Sequence, residues 1–312
     1  MSPFVSIIIP TYNEEADIRE TLDSLAALDY AECEALIVDA SKDSTPDIVT
    51  GYPSSRVKLI RQSHGRGRAA ARNEGILAAR GEIVIILNAD VRLPPNFIRA
   101  ILTHYAQGAD YVLVESRVTN TQHATARYVQ ALHEYYYPPR RDVEEKMNWT
   151  EGFSCRREAA IAVGLIPEGG EVTLVAGEDG WFGEKLAAAG YAKVFDHGIV
   201  VTHVMPPDLA GFWHQRVGRG QGTAQIWHQR DRWSLAKMWR TVLVLTVING
   251  LSVLVPLVPF RRALSLTAFS PQGHSDWLVF AVLNGVELTA NLCGLWLGLI
   301  EAQCAHIKRR AE

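Results

Sequence analysis

Near the start of the chain stand Val5-Ser6-Ile7-Ile8-Ile9-Pro10, a short and mostly β-branched run that ends at a proline. Such a run is typical of a buried parallel strand. A polar turn follows, Thr11-Tyr12-Asn13-Glu14-Glu15, and after it Ile18, Leu22 and Leu25 recur at helical spacing. This first unit therefore predicts a strand, a loop and a helix, in that order.

The same order repeats along the first two-thirds of the chain. The sequence predicts further strands over residues 34–38, 57–60, 83–87 and 110–115, and helices from 46 and over 69–79, 124–137 and 181–189. Residues 140–147 are strongly charged, which predicts a surface loop. Strands that alternate with helices imply right-handed crossovers, with the ligand crevice at the carboxyl ends of the strands. We therefore predict an α/β fold with a mostly parallel sheet flanked by helices.

Composition excludes several classes of protein. The 312 residues carry 31 basic and 34 acidic side chains and a net charge of −3, so no basic field indicates nucleic acid as a partner. The four cysteines form no CxxC pair, which indicates reduced structural thiols. The apolar start has no basic residues before it and no cleavage site of small residues, so we expect no signal peptide and a cytosolic catalytic part.

Composition changes after Trp239, and we place the domain boundary between residues 1–232 and 233–312. Residues 241–260 carry no charge, and residues 277–300 carry one acid, so each is long enough to span a bilayer. Basic residues concentrate on the outer flanks of the pair, which favours a hairpin with both termini at the cytoplasmic face of the membrane.

Two alternatives remain for these segments: attachment at the membrane interface, and a soluble helical interface. The reason is their content of residues that are costly in lipid: Pro256, Pro259, Asn284, Glu287 and Asn291. The last three share one helical face by their spacing, so they can meet a partner helix or another subunit in a homo-oligomer.

Polar residues follow the predicted strands, and each has a functional and a structural interpretation. Asp39 can bind a base or ribose, or cap a helix. The stretch from His64 to Arg72 combines glycines with arginines at a helix start, which suits a diphosphate or coats a solvated face. Asp90 can bind Mg²⁺ or Mn²⁺, or cap the next helix.

Two more candidates come later in the chain. Asp179 stands at the start of a predicted helix and can act as a general base, although acids are common there because of the helix dipole. His203 follows an apolar run and is either a metal ligand or a structural histidine.

Taken together and in this order, these segments resemble the family 2 glycosyltransferases, which adopt the Rossmann-like GT-A fold. The resemblance runs from about Ser6 to His203 and rests on Ser6-Ile7-Ile8-Ile9-Pro10-Thr11-Tyr12-Asn13-Glu14, Val38-Asp39-Ala40-Ser41-Lys42-Asp43-Ser44-Thr45, Gly67-Arg68-Ala69-Ala70-Ala71-Arg72-Asn73-Glu74-Gly75, Asn88-Ala89-Asp90, Glu151-Gly152-Phe153-Ser154 and Gly177-Glu178-Asp179. The six motifs in this order identify the family more specifically than any single motif does.

The resemblance implies a role for each matching position. The nucleotide and its phosphates would be bound by Pro10, Tyr12, Glu14, Asp39, Arg72, Asn88, Ala89 and Asp90. Asp90 and His203 would hold Mn²⁺ or Mg²⁺, and Asp179 would be the catalytic base. Gly152, Phe153 and Glu178 would lie in the acceptor or diphosphate region.

This chain departs from the family pattern in three places. Asn88 stands where the family has the first aspartate of a DxD motif, and Ala40 replaces the usual glycine after Asp39. The processive members' Gln-x-x-Arg-Trp signature is also missing, which resembles an enzyme that adds one sugar. In its place stand Arg216 and Arg219, which either clamp the diphosphate or belong to a solvated basic loop.

The implied reaction is an inverting transfer of one sugar from a nucleotide-sugar, with UDP-sugars favoured, to a hydroxyl or phosphate of an acceptor. Hydrophobic attachment favours a lipid-borne acceptor in cell-envelope glycan or glycolipid synthesis. The alternative is a non-catalytic nucleotide-sugar-binding scaffold of a polysaccharide assembly complex. A dinucleotide-dependent oxidoreductase is excluded because the first strand leads into Pro-Thr-Tyr-Asn-Glu rather than GxGxxG.

Overall fold

The computed structural model describes residues 2–62, 67–146, 148–254 and 257–311. Outside these ranges lie His64, Gly65 and Arg66 of the predicted diphosphate stretch, Met147 of the charged segment and Pro256 of the first apolar segment.

The strands are β1 (Val5–Thr11), β2 (Cys33–Asp39), β3 (Val57–Arg61), β4 (Ile83–Ile86), β5 (Val91–Arg92), β6 (Tyr111–Val118), β7 (Phe153–Arg156) and β8 (Lys193–His203). The helices are α1 (Ile18–Ala26), α2 (Thr45–Thr50), α3 (Arg68–Ala78), α4 (Phe97–Ala106), α5 (Ala124–Tyr136), α6 (Arg141–Glu144), α7 (Arg157–Ala162), α8 (Glu178–Ala188), α9 (Leu209–Gln229), α10 (Leu235–Leu254), α11 (Leu257–Leu266) and α12 (Trp277–Ala311).

Within the described residues the strands form one sheet in the order β3-β2-β1-β4-β7-β6-β8-β5. β1 pairs in parallel with β2 and β4, and β2 pairs in parallel with β3. The other half is antiparallel, since β7 runs against β4 and β6, and β5 runs against β8. The predicted α/β fold is confirmed, but the sheet is mixed because strict alternation of strand and helix stops after β4.

Burial on both faces of β1 explains why its sequence is continuously apolar. Ile7 and Ile9 belong to the core on one face of the sheet, and Ile8 belongs to the core on the other face. Neighbouring side chains of a strand point to opposite faces, and each fully buried isoleucine contributes about 1.5–3 kcal/mol. On the second face, Gly75 allows α3 to lie close to β1. A Cβ at this position would be only 2.4 Å from Cγ2 of Ile8, so a larger residue would not fit.

The charged segment at residues 140–147 was predicted to be a loop, but it contains the short helix α6. Arg141 and Glu145 form an i,i+4 ion pair of 3.0 Å, an arrangement that stabilises a helical turn. Oε1 of Glu144 lies 3.0 Å from Nε2 of His197, and this hydrogen bond connects α6 to β8.

The chain divides into two compact units. The first comprises Met1–Arg117, Pro139–Glu168 and Glu178–His203, and the second comprises Val118–Pro138, Gly169–Gly177 and Val204–Glu312. This division differs from the predicted boundary at residue 232, because α5 and α9 fall in the unit of the C-terminal helices.

Glycines allow α9 and α12 to pack closely within the second unit. A Cβ on Gly220 would lie 2.0 Å from the carbonyl oxygen of Asn291, and one on Gly294 would lie 2.0 Å from that of Val217. The backbones are therefore in direct contact, as small residues permit between apolar helices.

Among the described helices, the one at Gly273–Arg309 is long and apolar enough to cross a membrane, and 44% of its most apolar window is buried in the protein. The first predicted segment, residues 241–260, is divided here between α10 and α11. A hairpin of two spans therefore stays a prediction.

Candidate active site

The loops after β1 and β2 are joined to each other at the carboxyl edge of the sheet. The backbone N–H of Asn13 donates to Oγ of Ser41 at 2.7 Å, and that of Glu14 donates to Oγ1 of Thr45 at 2.9 Å. In return, Oδ1 of Asn13 accepts from the N–H of Lys42 at 3.0 Å. Asn13 has a φ of 58°, a left-handed conformation that asparagine tolerates better than most residues.

Asp39 is fully buried at this junction. Its Oδ1 accepts from Thr11 at 2.7 Å and from Ser41 at 2.5 Å, while its Oδ2 pairs with Arg61. Both carboxylate oxygens are thus engaged, and Asp39 holds the ends of three adjacent strands together.

The predicted base pocket also includes Tyr12 and Pro10. Tyr12 is 58% exposed on the loop after β1, so its ring offers a flat surface for stacking. Pro10 is half-buried within β1 itself.

Carboxyl groups crowd the adjacent part of this edge. Burial, followed by the charge of Glu151, raises the pKa of Asp90 to about 6. Burial, followed by the charges of Asp90 and Asp17, raises the pKa of Glu14 to about 7. Like charges in a partly dry site disfavour one another's ionisation, so a cation bound there would stabilise the ionised forms.

The sheet brings the backbone of His203 close to that of Asp90, and their joint metal site stays a prediction. His203 is the last residue of β8, is buried, and pairs across the sheet with Val91, which follows Asp90 in the chain. Among the residues that the structure describes, no three side chains of the types His, Cys, Asp and Glu come together closely enough to hold a metal by themselves. Asp90 and His203 suit Mg²⁺ or Mn²⁺, which commonly keep water and substrate phosphates as their other ligands.

Arg72 is a buried hub rather than an exposed phosphate ligand. Its Nη1 donates to Oε1 of Glu178 at 2.8 Å, and its Nη2 donates to Oδ1 of Asn88 and to Oγ1 of Thr150, each at 2.8 Å. The side chain is 1% exposed. Arg72 thus positions three segments of the site, and Asn88, which departs from the family motif, is one of them.

The neighbouring carboxyls of Glu178 and Asp179, at the start of α8, have opposite pKa shifts. Burial raises the pKa of Glu178, but Arg68 and Arg72 outweigh it and the net shift is downward. Burial, followed by the charge of Glu178, raises the pKa of Asp179 to about 6. When two adjacent carboxyl groups have opposite pKa shifts, the one with the lowered pKa, here Glu178, stays ionised. The one with the raised pKa, here Asp179, is suited to accept a proton.

The remaining predicted residues of the first unit are parts of its interior. Phe153 is 2% exposed and packs on Tyr111 and Phe182, so it lies in the core rather than at an acceptor surface. Gly152 has a φ of 77°, and a Cβ there would lie 2.9 Å from side chains of Val114 and Val201. Ala89 is buried, and its carbonyl accepts from Thr21.

Arg216 and Arg219 belong to α9, in the second unit. The solvated-loop alternative is wrong because residues 209–229 are helical. Arg216 is 1% exposed, and its Nη1 lies 3.3 Å from Oε1 of Glu287.

Sequence reasoning missed Glu151, Asp17 and Thr150 as members of the site. Glu151 and Thr150 stand at the Glu151-Gly152-Phe153 segment, so their position in the ordered set was the available signal. Asp17 carried no signal, because its closeness to Asp90 arises only in the folded chain.

The mixed sheet, with its polar residues at the carboxyl ends of parallel strands, defines the GT-A fold. The family model for Glycosyl transferase family 2 matches residues 6–164, just over half of the 312 residues. The chain therefore belongs to glycosyltransferase family 2.

Individual relatives agree with this assignment. Over 256 residues the chain is 29% identical to glycosyltransferase AglE of Haloferax volcanii, covering 78% of this chain and 81% of AglE. Over 87 residues it is 37% identical to the UDP-Glc:alpha-D-GlcNAc-diphosphoundecaprenol beta-1,3-glucosyltransferase WfgD of Escherichia coli, covering 28% of this chain and 34% of WfgD. Other curated relatives are likewise matched over about a third of their length.

Solved structures resemble the chain over most of its length. Among them is the mannosyltransferase PcManGT from Pyrobaculum calidifontis in complex with GDP-Man and Mn²⁺, with a TM-score of 0.65. The match covers 95% of this chain and 88% of PcManGT at 22% sequence identity, which supports the fold alone.

Proposed function

We propose that this chain is an inverting, metal-dependent glycosyltransferase that moves one sugar from a nucleotide diphosphate sugar to an acceptor hydroxyl or phosphate. The observation that carries the proposal is the position of Asp179 beside Glu178, whose carboxylate is paired with Arg68 and Arg72 at 2.8 Å each. Against the effect of burial, these pairs lower the pKa of Glu178, while burial raises that of Asp179. A general base needs a carboxylate whose pKa lies near the working pH, and Asp179 fits that description.

In the proposed reaction the acceptor oxygen attacks the anomeric carbon. The bond from that carbon to the diphosphate oxygen breaks, the nucleoside diphosphate leaves with the electron pair, and Asp179 takes the proton of an acceptor hydroxyl. Attack opposite the leaving group inverts the configuration. Glu178, neutralised by Arg68 and Arg72, stays ionised and does not compete for the proton.

Asp90 and His203 are the residues proposed to hold Mn²⁺ or Mg²⁺. When bound, such an ion would supply positive charge beside the leaving diphosphate. The raised pKa values of Asp90 and Glu14, due to burial and in the second case also to the charge of Asp90, support this role, because crowded carboxyl groups are stabilised in their ionised forms by a cation. Tyr12, Pro10 and the joined loops are proposed to receive the base and ribose.

A UDP-sugar is the favoured donor and a lipid-borne molecule the favoured acceptor. The name of the relative WfgD specifies UDP-Glc and a diphosphoundecaprenol-linked substrate. The apolar helix at Gly273–Arg309 supports attachment at a membrane, where such an acceptor resides. We place the chain at the cytoplasmic face with both termini in the cytoplasm, acting in cell-envelope glycan or glycolipid synthesis.

The test is calorimetric titration of the full chain with UDP-, GDP- and dTDP-sugars, each with Mn²⁺ and with EDTA. We expect one donor to bind with Mn²⁺ and to bind much more weakly with EDTA. The matched variant D90N should lose the effect of Mn²⁺, while R261Q, a substitution on α11, should keep it. Binding that is indifferent to EDTA would remove the metal from the proposal. Binding of no donor would contradict both the transferase and the nucleotide-sugar-binding scaffold.

A further inference from the structure

The second unit contains a buried cluster of charge that the proposed transfer does not use. Glu287 of α12 is the one carboxylate of this cluster, which we call the Glu287 cluster. Its Oε2 accepts from the hydroxyl of Tyr128 at 2.8 Å and lies 3.3 Å from Nη2 of Arg262, and its Oε1 lies 3.3 Å from Nη1 of Arg216. Arg219 adds a further positive charge near Arg216. Positive charge therefore exceeds negative charge in the cluster.

The two ion pairs of the Glu287 cluster have long nitrogen–oxygen distances. Charge-assisted N–H···O bonds are usually 2.7–2.9 Å long, shorter than the 3.3 Å found for Arg216 and Arg262. The same unit contains a shorter pair for comparison. Arg127 donates to both carboxylate oxygens of Asp276, at 2.8 and 2.7 Å. The helices of this unit can thus form a short, bidentate ion pair, but the ion pairs of Glu287 are longer.

Some donor nitrogens of the cluster have no hydrogen-bond acceptor. Within the described residues, Nε and Nη2 of Arg216 and Nε of Arg262 are buried and donate to no acceptor. Arg216 lies over the ring of Phe212 at 4.8 Å, which compensates its charge only in part. Buried guanidinium groups without matching anions are costly, so an added anion with several oxygens would stabilise the cluster.

The surroundings indicate what carries that anion. Tyr136, 5.3 Å below the guanidinium of Arg262, is 49% exposed. On the helices that contribute Arg262 and Glu287, the outward side chains Val258, Leu264, Leu278 and Val282 are each more than half exposed. A cationic site on helices that also present exposed apolar side chains suits a molecule with a phosphate head and a hydrocarbon chain.

We infer that the Glu287 cluster is a binding site for the phosphate group of a lipid, with Arg216 and Arg262 as its ligands and Glu287 as the internal counter-ion that the phosphate displaces. This inference rests on the proposed function, because it identifies a phosphate-bearing lipid as the acceptor. The exposed Arg219 contributes attraction at longer range.

The test uses the full chain in detergent and three probes: farnesyl phosphate, farnesol and inorganic phosphate. Binding is followed by tryptophan fluorescence, and thermal unfolding is recorded with and without each probe. We expect farnesyl phosphate to bind at least about tenfold more tightly than either of the other two. Equal binding of farnesol would show that only the apolar surface matters, and equal binding of inorganic phosphate would show a site for free anions; either result overturns the inference.

Matched variants separate the site from general effects of charge. R262Q should weaken farnesyl phosphate by about tenfold or more, whereas R261Q, one residue away and exposed, should leave it unchanged. E287Q removes the competing carboxylate, so it should bind farnesyl phosphate several-fold more tightly and gain more thermal stability from it, a result that misfolding cannot produce. Identical affinities in wild type, R262Q and R261Q would overturn the assignment.

Parallel titration with nucleotide-sugars keeps the two proposals apart. If R262Q weakens farnesyl phosphate while no donor binds the wild type, the lipid site stands and the transferase mechanism fails. If a donor binds and R262Q has no effect on farnesyl phosphate, only the lipid site fails.

Discussion

Two fully buried arginines, each paired with a glutamate, occupy the two units of the molecule. Arg72 makes three hydrogen bonds of 2.8 Å to oxygens of Glu178, Asn88 and Thr150. Arg216 makes a single contact of 3.3 Å to Glu287 and leaves two donor nitrogens without partners. Arg72 also has one buried nitrogen without a partner, Nε, but both of its Nη atoms donate short bonds to the site. Arg216 lacks such bonds, and in the proposed lipid site a phosphate would supply them.

The largest effect is expected at the carboxyl that the Arg72 hub organises. D179N should lower kcat by about 10²–10⁴-fold, because the amide cannot take a proton from the acceptor. Donor affinity should stay near the wild-type value. Steady-state transfer assays and calorimetry on the same preparation measure both, and wild-type turnover by D179N would show that another group is the base.

Stability provides the control for D179N. Because the folded protein raises the pKa of Asp179 to about 6, the protonated form is favoured and its stabilising contribution is lost as pH rises through that value. An amide has no charge to bury, so D179N should unfold with a free energy no lower than that of the wild type at pH 8. A loss of activity together with a loss of stability would indicate damage to the fold instead.

The next effect compares the two arginines directly. R72Q leaves Glu178 in a buried position with only the more exposed Arg68, and we expect it to lower the free energy of unfolding by about 3–5 kcal/mol. R216Q should cost less, under about 2 kcal/mol, because Glu287 keeps Tyr128 and Arg262. Urea titration of both variants without lipid decides the point, and equal losses would break the comparison.

A smaller effect concerns the pH dependence of kcat. Transfer should fall as pH drops below about 6, where Asp179 becomes protonated. E178Q removes the neighbouring negative charge, which should shift that acidic limb to lower pH by roughly one unit. The profile is best recorded with saturating donor and Mn²⁺, and an unmoved limb would mean that Glu178 does not influence the base.

The smallest effect is expected at Arg68. Its ion pair with Glu178 is 2.8 Å long, but its side chain is 47% exposed, so solvent screens the interaction. R68Q should lower the free energy of unfolding by about 0–1 kcal/mol. A loss as large as that of R72Q would show that exposure is not what separates the two arginines.

The parallel half of the sheet could be predicted because buried strands such as β1 are continuous apolar runs, and the polar residues that follow them lie at one edge. The antiparallel half could not be predicted, since no local pattern specifies that β8 runs beside β5. The resemblance predicted a metal site shared by His203 and Asp90; the β5–β8 pairing places the backbone of His203 opposite Val91, the neighbour of Asp90.

The role of Arg72 shows a second limit of the sequence. An arginine in the first turns of a helix after a glycine-rich stretch indicates an exposed ligand for phosphate. Its burial depends on Glu178, 106 residues further along the chain, and no local spacing reveals such a partner. Asn88 was predicted to bind the nucleotide or its phosphates, whereas in the fold its amide oxygen is an acceptor for that same arginine.

The hydrogen bonds that join Asn13 and Glu14 to Ser41 and Thr45 have a thermodynamic consequence for donor recognition. Loops that are already ordered lose little conformational entropy when a nucleotide arrives, whereas each side chain immobilised on binding costs about 0.5–1.5 kcal/mol. More of the intrinsic contact energy then appears as affinity. In the proposed donor site the same rigidity would limit the range of bases that fit, because ordered loops rearrange only at a cost in free energy.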